Sequence, residues 1–240
     1  MFDIHAHIIY HIDDGSRTIE ESLALIQRDS AQGARAIIAT PHYYVQYPTE
    51  PECIRAKLAT IEAAVNADGL DVHLFPGNEV LWFDSMTERL QSGEILTLAD
   101  SHYTLIEFYP EESYQTILRA VRNVRNAGYR PIIAHAERFR AMQEHGLDEV
   151  RDLGAYVQLS TEPLAHKGLS GLLNRETKFI QKALKHQQAD FLGTDMHRTD
   201  RRPPVLSDAI TWIEKNLDAA YADAVLQQNA QSILRDEEIY

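Results

Sequence analysis

Along the chain, short apolar runs alternate with longer stretches in which apolar residues recur at helical spacing. Seven runs read as strands: residues 2–4, 36–39, 72–75, 103–108, 131–134, 156–159 and 190–192. Each is apolar or rich in β-branched and aromatic residues, the mark of strands buried on both faces. The stretches between them read as helices. Thr18-Ile19-Glu20-Glu21 has the form of a capping box, followed by Leu23 and Ile26 and stopped at Gly33. Thr49-Glu50-Pro51-Glu52 has the same form ahead of Ile54, Leu58, Ile61 and Val65. A third stripe, Ile117, Leu118, Val121 and Val124, ends at Gly128. Further helices are predicted over 176–186, 206–216 and 221–235. This alternation, with no long linker, low-complexity segment or short repeat, predicts one α/β domain over residues 1–240. An open doubly wound sheet would satisfy it, but the placement of the polar residues favours a (β/α) barrel.

Those polar residues fall at the C-terminal ends of the predicted strands. His5 and His7 follow the first, His42 the second and Glu79 the third. Glu107 sits in the fourth, between Ile106 and Phe108. His135 ends the fifth, and Asp195 and His197 follow the seventh; the sixth offers only Gln158 and Ser160. In barrels of parallel strands the active site is built at this face from several strand ends. Any one of these residues could be a satisfied structural histidine or half of a structural ion pair. Six strand ends of seven are another matter. Grouping so many ionisable side chains without counter-charge is very costly, and no matching set of Lys and Arg occupies those positions.

Metal ions are the natural counter-charge. Imidazole with carboxylate suits manganese, zinc, iron or nickel. The lack of thiolates excludes a cysteine-type structural zinc knot. Asp14, just before Gly15, adds a carboxylate; Asp13 competes with it, and a solvated turn is the plain alternative for either. The nine candidate ligands are then His5, His7, Asp14, His42, Glu79, Glu107, His135, Asp195 and His197. One ion cannot use nine, but three divalent ions sharing a bridging carboxylate can, which points to a polynuclear hydrolase. Arg138 and Arg202 lie where guanidinium forks would grip phosphoryl oxygens. Arg198 and Arg201 read as surface residues.

Composition narrows the partners. The net charge of −13 argues against nucleic acid, whose phosphates need clustered Lys and Arg. No apolar run is long enough to span a bilayer, so no membrane insertion is expected. Asp3 and His5 stand where a secretory signal would be basic and then apolar, which predicts a cytoplasmic protein. The one cysteine, Cys53, allows no internal disulfide. Ala59 stands where the arginine of a Cys-x5-Arg phosphatase motif would be, so thiol phosphatase chemistry is closed and Cys53 reads as a plain helix residue. No long exposed apolar stripe argues for an obligate dimer, and a monomer is expected.

The ordered set His5-x-His7, Asp13-Asp14-Gly15, Ala39-Thr40-Pro41-His42, Gly77-Asn78-Glu79, Leu105-Ile106-Glu107-Phe108, Ile133-Ala134-His135-Ala136-Glu137-Arg138 and Asp195-Met196-His197 with Arg202-Pro203-Pro204 resembles a known family. It is that of the bacterial manganese-dependent protein-tyrosine phosphatases, in the polymerase and histidinol phosphatase (PHP) superfamily. The similarity runs from Phe2 to about Arg235. The resemblance implies a distorted (β/α)7 barrel with three metal ions, manganese foremost and iron, zinc, nickel or cobalt acceptable. It also implies a hydroxide bridging two ions as nucleophile. The implied substrate is phosphotyrosine in the tyrosine-rich tail of a bacterial kinase that controls capsule or exopolysaccharide synthesis. By position, His5, His7, Glu79 and Asp195 would hold one ion. Glu79 would bridge to a second with Glu107 and His135, and Asp14, His42 and His197 would serve the third or lie between. His11 departs from the pattern and reads as exposed. The loop Tyr43-Tyr44-Val45-Gln46-Tyr47-Pro48 would either stack on a phosphotyrosine ring or pack at the rim. A small phosphomonoester such as histidinol phosphate is the alternative substrate. A non-catalytic metal-binding module is disfavoured by the presence of both arginines.

Overall fold

A computed structural model of the chain describes residues 1–166 and 168–239, with the backbone alone of residues 169, 170 and 172. Its strands are β1 (Phe2–Ala6), β2 (Ala36–Ala39), β3 (His42–Tyr43), β4 (His73–Pro76), β5 (Glu79–Leu81), β6 (Tyr103–Glu107), β7 (Arg130–Ile133), β8 (Tyr156–Ser160) and β9 (Phe191–Gly193). The helices are α1 (Ile19–Ala31), α2 (Pro51–Ala67), α3 (Met86–Ser92), α4 (Tyr114–Asn126), α5 (Arg140–His145), α6 (Asp148–Asp152), α7 (Gly168–Leu173), α8 (Arg175–Lys185), α9 (Ser207–Asn216), α10 (Ala219–Asp223) and α11 (Asn229–Arg235).

All strand pairings are parallel, in the orders β1-β2-β4 and β3-β5-β6-β7-β8-β9. The two groups are joined at both ends. On one side β2 runs into β3 past Pro41, whose nitrogen has no proton to give the ladder. There β4 runs into β5 past Gly77-Asn78. At Gly77 a Cβ would come within 2.8 Å of the Leu98 side chain and 3.2 Å of Ile38, so a larger residue would have to displace buried side chains. Asn78 bridges the break, donating to the Pro41 carbonyl (3.0 Å) and accepting from the Leu96 amide (2.9 Å). On the other side, Asp195 N donates to the His5 carbonyl and His7 N to that of Met196, each at 2.8 Å. The result is a curled parallel sheet wrapped by helices.

Successive strand residues face opposite sides, and both sides are buried. Ile38, Leu105, Ile132 and Phe191 pack within the curl with Tyr103 and Leu98. Their neighbours Ile106 and Ile133 pack outward on Ile117, Val121 and Val124 of α4, and Ile37 packs on Ile26 of α1 and Ile61 of α2. That double burial is why each strand is a continuous apolar run. The seven predicted strands are all present within two residues of their expected ends. Unforeseen are β3 and β5, of two and three residues, too short for periodicity to register.

One expected cap is corrected. Thr18 caps α1, accepting from Glu21 N at 3.2 Å. Thr49 does not cap α2: the N-cap is Glu50 with no side-chain hydrogen bond, because Pro51 opens the helix. The predicted 221–235 helix is α10 and α11 joined by a wider, π-type turn over Ala224–Gln228.

Candidate metal centre

Parallel register brings the strand ends together. His42 and Glu79 are direct partners across β3 and β5, and Leu81 pairs with Glu107 across β5 and β6. His5 lies on β1 and His7 just beyond it. His135 follows β7, and Asp195 and His197 follow β9. His135 (φ 30°), Asp195 (φ 52°) and Arg202 (φ 61°) hold left-handed backbone conformations, a cost that tertiary contacts must offset.

Glu79 stands at the middle, fully buried. Its Oε1 lies 2.7 Å from His135 Nε2. Its Oε2 lies 3.2 Å from His5 Nε2, 3.3 Å from His7 Nε2 and 3.0 Å from His42 Nδ1. His5 Nε2 and His7 Nε2 are 3.2 Å apart, and each is 3.4 Å from Asp195 Oδ1. Glu107 reaches toward His135 Nε2 (3.6 Å) and His42 Nδ1 (3.7 Å). At the rim, Asp14 Oδ1 lies 3.4 Å from His197 Nε2 and 3.5 Å from His42 Nε2. All nine sequence-predicted residues thus share one site, with Asp14 the most exposed at 71%.

The donor set fits metal ions. Donors about 2.1 Å from one ion lie about 3.0 Å apart at neighbouring octahedral corners and about 3.4 Å apart at tetrahedral ones. The spacings among His5, His7, Glu79 and Asp195 fall in that interval. His42 Nδ1, Glu79 Oε2 and His135 Nδ1 are buried and have no hydrogen-bond partner among the described residues. Among the described residues, four groups have donor atoms within 4.8 Å of one another: His5-His7-Glu79, His5-His135-Asp195, His42-Glu79-Glu107 and His7-Asp14-His42-His197. His42 therefore faces both Glu107 and Asp14, through different ring nitrogens.

Surrounding groups set the tautomers. His7 Nδ1 meets the Asp13 carboxylate at 2.8 Å, His5 Nδ1 meets Gln158 Oε1 at 3.2 Å, and His197 Nδ1 meets the Asp195 carbonyl at 2.9 Å. Those oxygens only accept, so each Nδ1 carries a proton and Nε2 is the ring atom turned to the centre, where a metal ion would take its lone pair. Asp13 also accepts from His42 N (3.0 Å), and Gln158 from His135 N (2.7 Å). Asp13 and Gln158 were not among the nine. Their signal was position: a second acid in Asp-Asp-Gly, and an amide at the sixth strand's end.

Charge is unevenly shared. Burial opposes ionisation of Glu79 and Asp195, yet the imidazoles around them, and Arg138 beside Asp195, hold both carboxyls well below the usual range. Burial and then the Glu79 charge push Glu107 up to about 7. Burial and then Arg138 bring His135 down to about 4.

Arg138 Nη2 lies 2.7 Å from Asp195 Oδ2, and Arg202 meets the same oxygen while its Nη1 contacts His197 Nε2 at 3.1 Å. Arg201 is exposed and Arg198 half-buried, close to Asp200 (3.4 Å). His11 is exposed, as is Cys53 on α2. The aromatic loop divides. Tyr43 is buried in the core, Tyr44 stacks on His42 (centroids 5.0 Å apart), and Tyr47 is 81% exposed.

The loop bearing Arg202 is tied to α1 through Glu21. That carboxylate accepts from the Arg17 side chain at 2.8 Å and from Thr199 N and Oγ1 at 3.2 Å. The Arg17 bonds, outweighing burial, hold Glu21 down at about 2. A depressed carboxyl stabilises above its unfolded value of about 4.5, and that stability fades as pH falls toward 2. Glu21→Gln is expected to lower the melting temperature by about 3 °C at pH 7, allowing for solvent screening. The difference should shrink steadily between pH 5 and pH 2; an effect independent of pH would rule out the ionic tie.

The family model described as capsular polysaccharide synthesis, CpsB/CapC, matches residues 1–235. The chain belongs to the CpsB/CapC family. Tyrosine-protein phosphatase CpsB of Streptococcus agalactiae is 33% identical over the full length of both chains. The Streptococcus pneumoniae protein of the same name is 32% identical over 99% of each. Among solved structures, one from work on YwqE of Bacillus subtilis and CpsB of S. pneumoniae, described as unique metal-dependent tyrosine phosphatases, superposes with a TM-score of 0.91. It is 27% identical and covers 100% of this chain and 96% of that one. The phosphotriesterase of Mycobacterium tuberculosis (TM-score 0.63, 11% identity, covering 100% and 95%) shares the fold alone.

Proposed function

We infer that this CpsB/CapC chain is a metal-dependent protein-tyrosine phosphatase. The observation that carries this reading is the buried Glu79, whose two oxygens face four imidazoles within 3.3 Å. The full-length likeness to proteins named tyrosine-protein phosphatase supplies the substrate class.

Several finer statements go with it. The curled sheet is a (β/α)7 barrel in one domain, with β2-β3 and β4-β5 each counted as one interrupted strand and β9 closing on β1 through Met196. The site sits at the C-terminal strand ends. His5, His7, Asp14, His42, Glu79, Glu107, His135, Asp195 and His197 would hold three divalent ions, manganese foremost. Bound ions would acidify a water so that nucleophile exists near neutral pH, and would polarise phosphoryl oxygens. Asp13 and Gln158 keep His7 and His5 in the tautomer that aims Nε2 inward. Arg138 and Arg202 bind the non-bridging phosphoryl oxygens and offset charge that grows in the transition state. The phenol leaving group has an unperturbed pKa of about 10 and needs less protonation than an alkoxide. The phosphoprotein substrate is a bacterial tyrosine kinase acting in capsule or exopolysaccharide synthesis.

The test is phosphate release from a tyrosine-phosphorylated peptide by metal-stripped protein titrated with manganese. Activity is expected to be absent after chelation and to return with metal. Melting temperature should rise in parallel, since binding at 100-fold excess over Kd contributes about 2.7 kcal/mol per site. Metal uptake without release from the peptide, but with turnover of histidinol phosphate, would overturn the tyrosine-phosphatase reading.

A further inference from the structure

Between α5 and α8 runs a groove of about 580 Å³ whose charge opposes that of the chain. Arg175, Lys178 and Lys182 line one wall, spaced three and four residues apart and so on one helix face. All three are exposed and none has an ion-pair partner within 4.0 Å among the described residues, although the Glu144 carboxyl, held down first by Arg140, also feels Arg175. His145 and His186 flank them. Of the acids that line the groove, Glu144 is paired with Arg140 at 2.7 Å, while Asp148 accepts from the Gln188 amide at 2.6 Å and keeps its charge. Phe179, half-buried, contributes apolar surface.

Lone surface lysines are ordinarily just solvated. Here three unpaired cations share a concave surface on a protein of net charge −13, and a concave wall of one sign focuses the field. The groove adjoins the segment that carries Arg138. Helix α5 begins two residues after Arg138, and Gln143, on the groove, donates to the carbonyl of Glu137.

We propose that the groove binds an anionic segment of the protein substrate, flanking the phosphotyrosine held at the metal centre. This rests on the phosphatase reading. It assigns Arg175, Lys178 and Lys182 to substrate choice rather than to chemistry: they would lower KM for chains carrying acidic side chains near the scissile phosphate and leave kcat unchanged.

The experiment compares two phosphotyrosine peptides, one with glutamates on both sides of the phosphotyrosine and one with glutamines there. Turnover of p-nitrophenyl phosphate reports the centre alone. The manganese-loaded protein is expected to favour the glutamate peptide by about tenfold in kcat/KM, expressed in KM and collapsing in high salt. The Arg175→Gln/Lys178→Gln/Lys182→Gln variant should lose that preference with p-nitrophenyl phosphate turnover and circular dichroism unchanged. Equal kcat/KM for the two peptides, or a preference that survives in the variant, overturns the proposal. Absence of turnover on any substrate would overturn the phosphatase reading instead. The groove would then be judged by anisotropy of a labelled, unphosphorylated glutamate peptide, whose binding the triple variant must lose. Binding to phosphatidylglycerol vesicles that displaces this peptide and is lost in the variant would reassign the groove to a membrane surface and overturn the proposal.

Discussion

Glu79→Gln is expected to lower manganese-dependent hydrolysis of p-nitrophenyl phosphate by about 10³-fold or more, the largest effect of any single substitution in this chain. The substitution conserves volume and leaves one oxygen, so the fold should persist. What it removes is the charge that faces His5, His7, His42 and His135 together. An amide nitrogen also has no lone pair to give a metal ion, so one of the two donor oxygens is lost. Bound metal, measured by mass spectrometry on the purified protein, should fall with activity. Full metal content and activity within tenfold of the parent would remove Glu79 from its central role. Glu107→Gln should be milder, because Glu107 is partly exposed and lies farther from its imidazoles, at 3.6 and 3.7 Å.

Arg138→Ala is expected to reduce kcat/KM by about 10²-fold while leaving metal content unchanged. Its guanidinium is one-third exposed, so one side can meet a phosphoryl group while the other holds Asp195 at 2.7 Å. Arg138→Lys should recover only part of the loss, since a point charge cannot replace the fork. Inhibition by inorganic phosphate should weaken in the alanine variant. The effect of Arg202→Ala should not add to it, because both arginines share Asp195 Oδ2. If metal content fell as in Glu79→Gln, Arg138 would be a positioning residue for Asp195 and not a phosphate ligand.

Local pattern carried most of the strand reading and picked out the nine candidate ligands that the fold brings together. The strands were legible because burial on both faces removes polar residues from the run, leaving Ala36-Ile37-Ile38-Ala39 or Pro131-Ile132-Ile133-Ala134 to stand out. A histidine or acid after such a run breaks a local rule, and rule-breaking at strand ends marks function. Thr49 shows where pattern misleads. A plausible capping box lost to Pro51, which serves at the first helical turn and places Glu50 at the cap.

What the sequence determined by itself is the alternation of strand and helix, the family, and the set of nine ionisable residues at strand ends. Only the tertiary structure decided how those residues meet. It put both oxygens of Glu79 among four imidazoles, turned Arg138 and Arg202 onto one oxygen of Asp195, and enlisted Asp13 and Gln158 to orient histidines. It also decided that β3 and β5 exist, as short continuations beyond Pro41 and Gly77. The physical reason is that parallel pairing joins residues far apart in the chain. His5 and Gln158 touch across 153 positions, and no local period encodes which strand end a side chain will face.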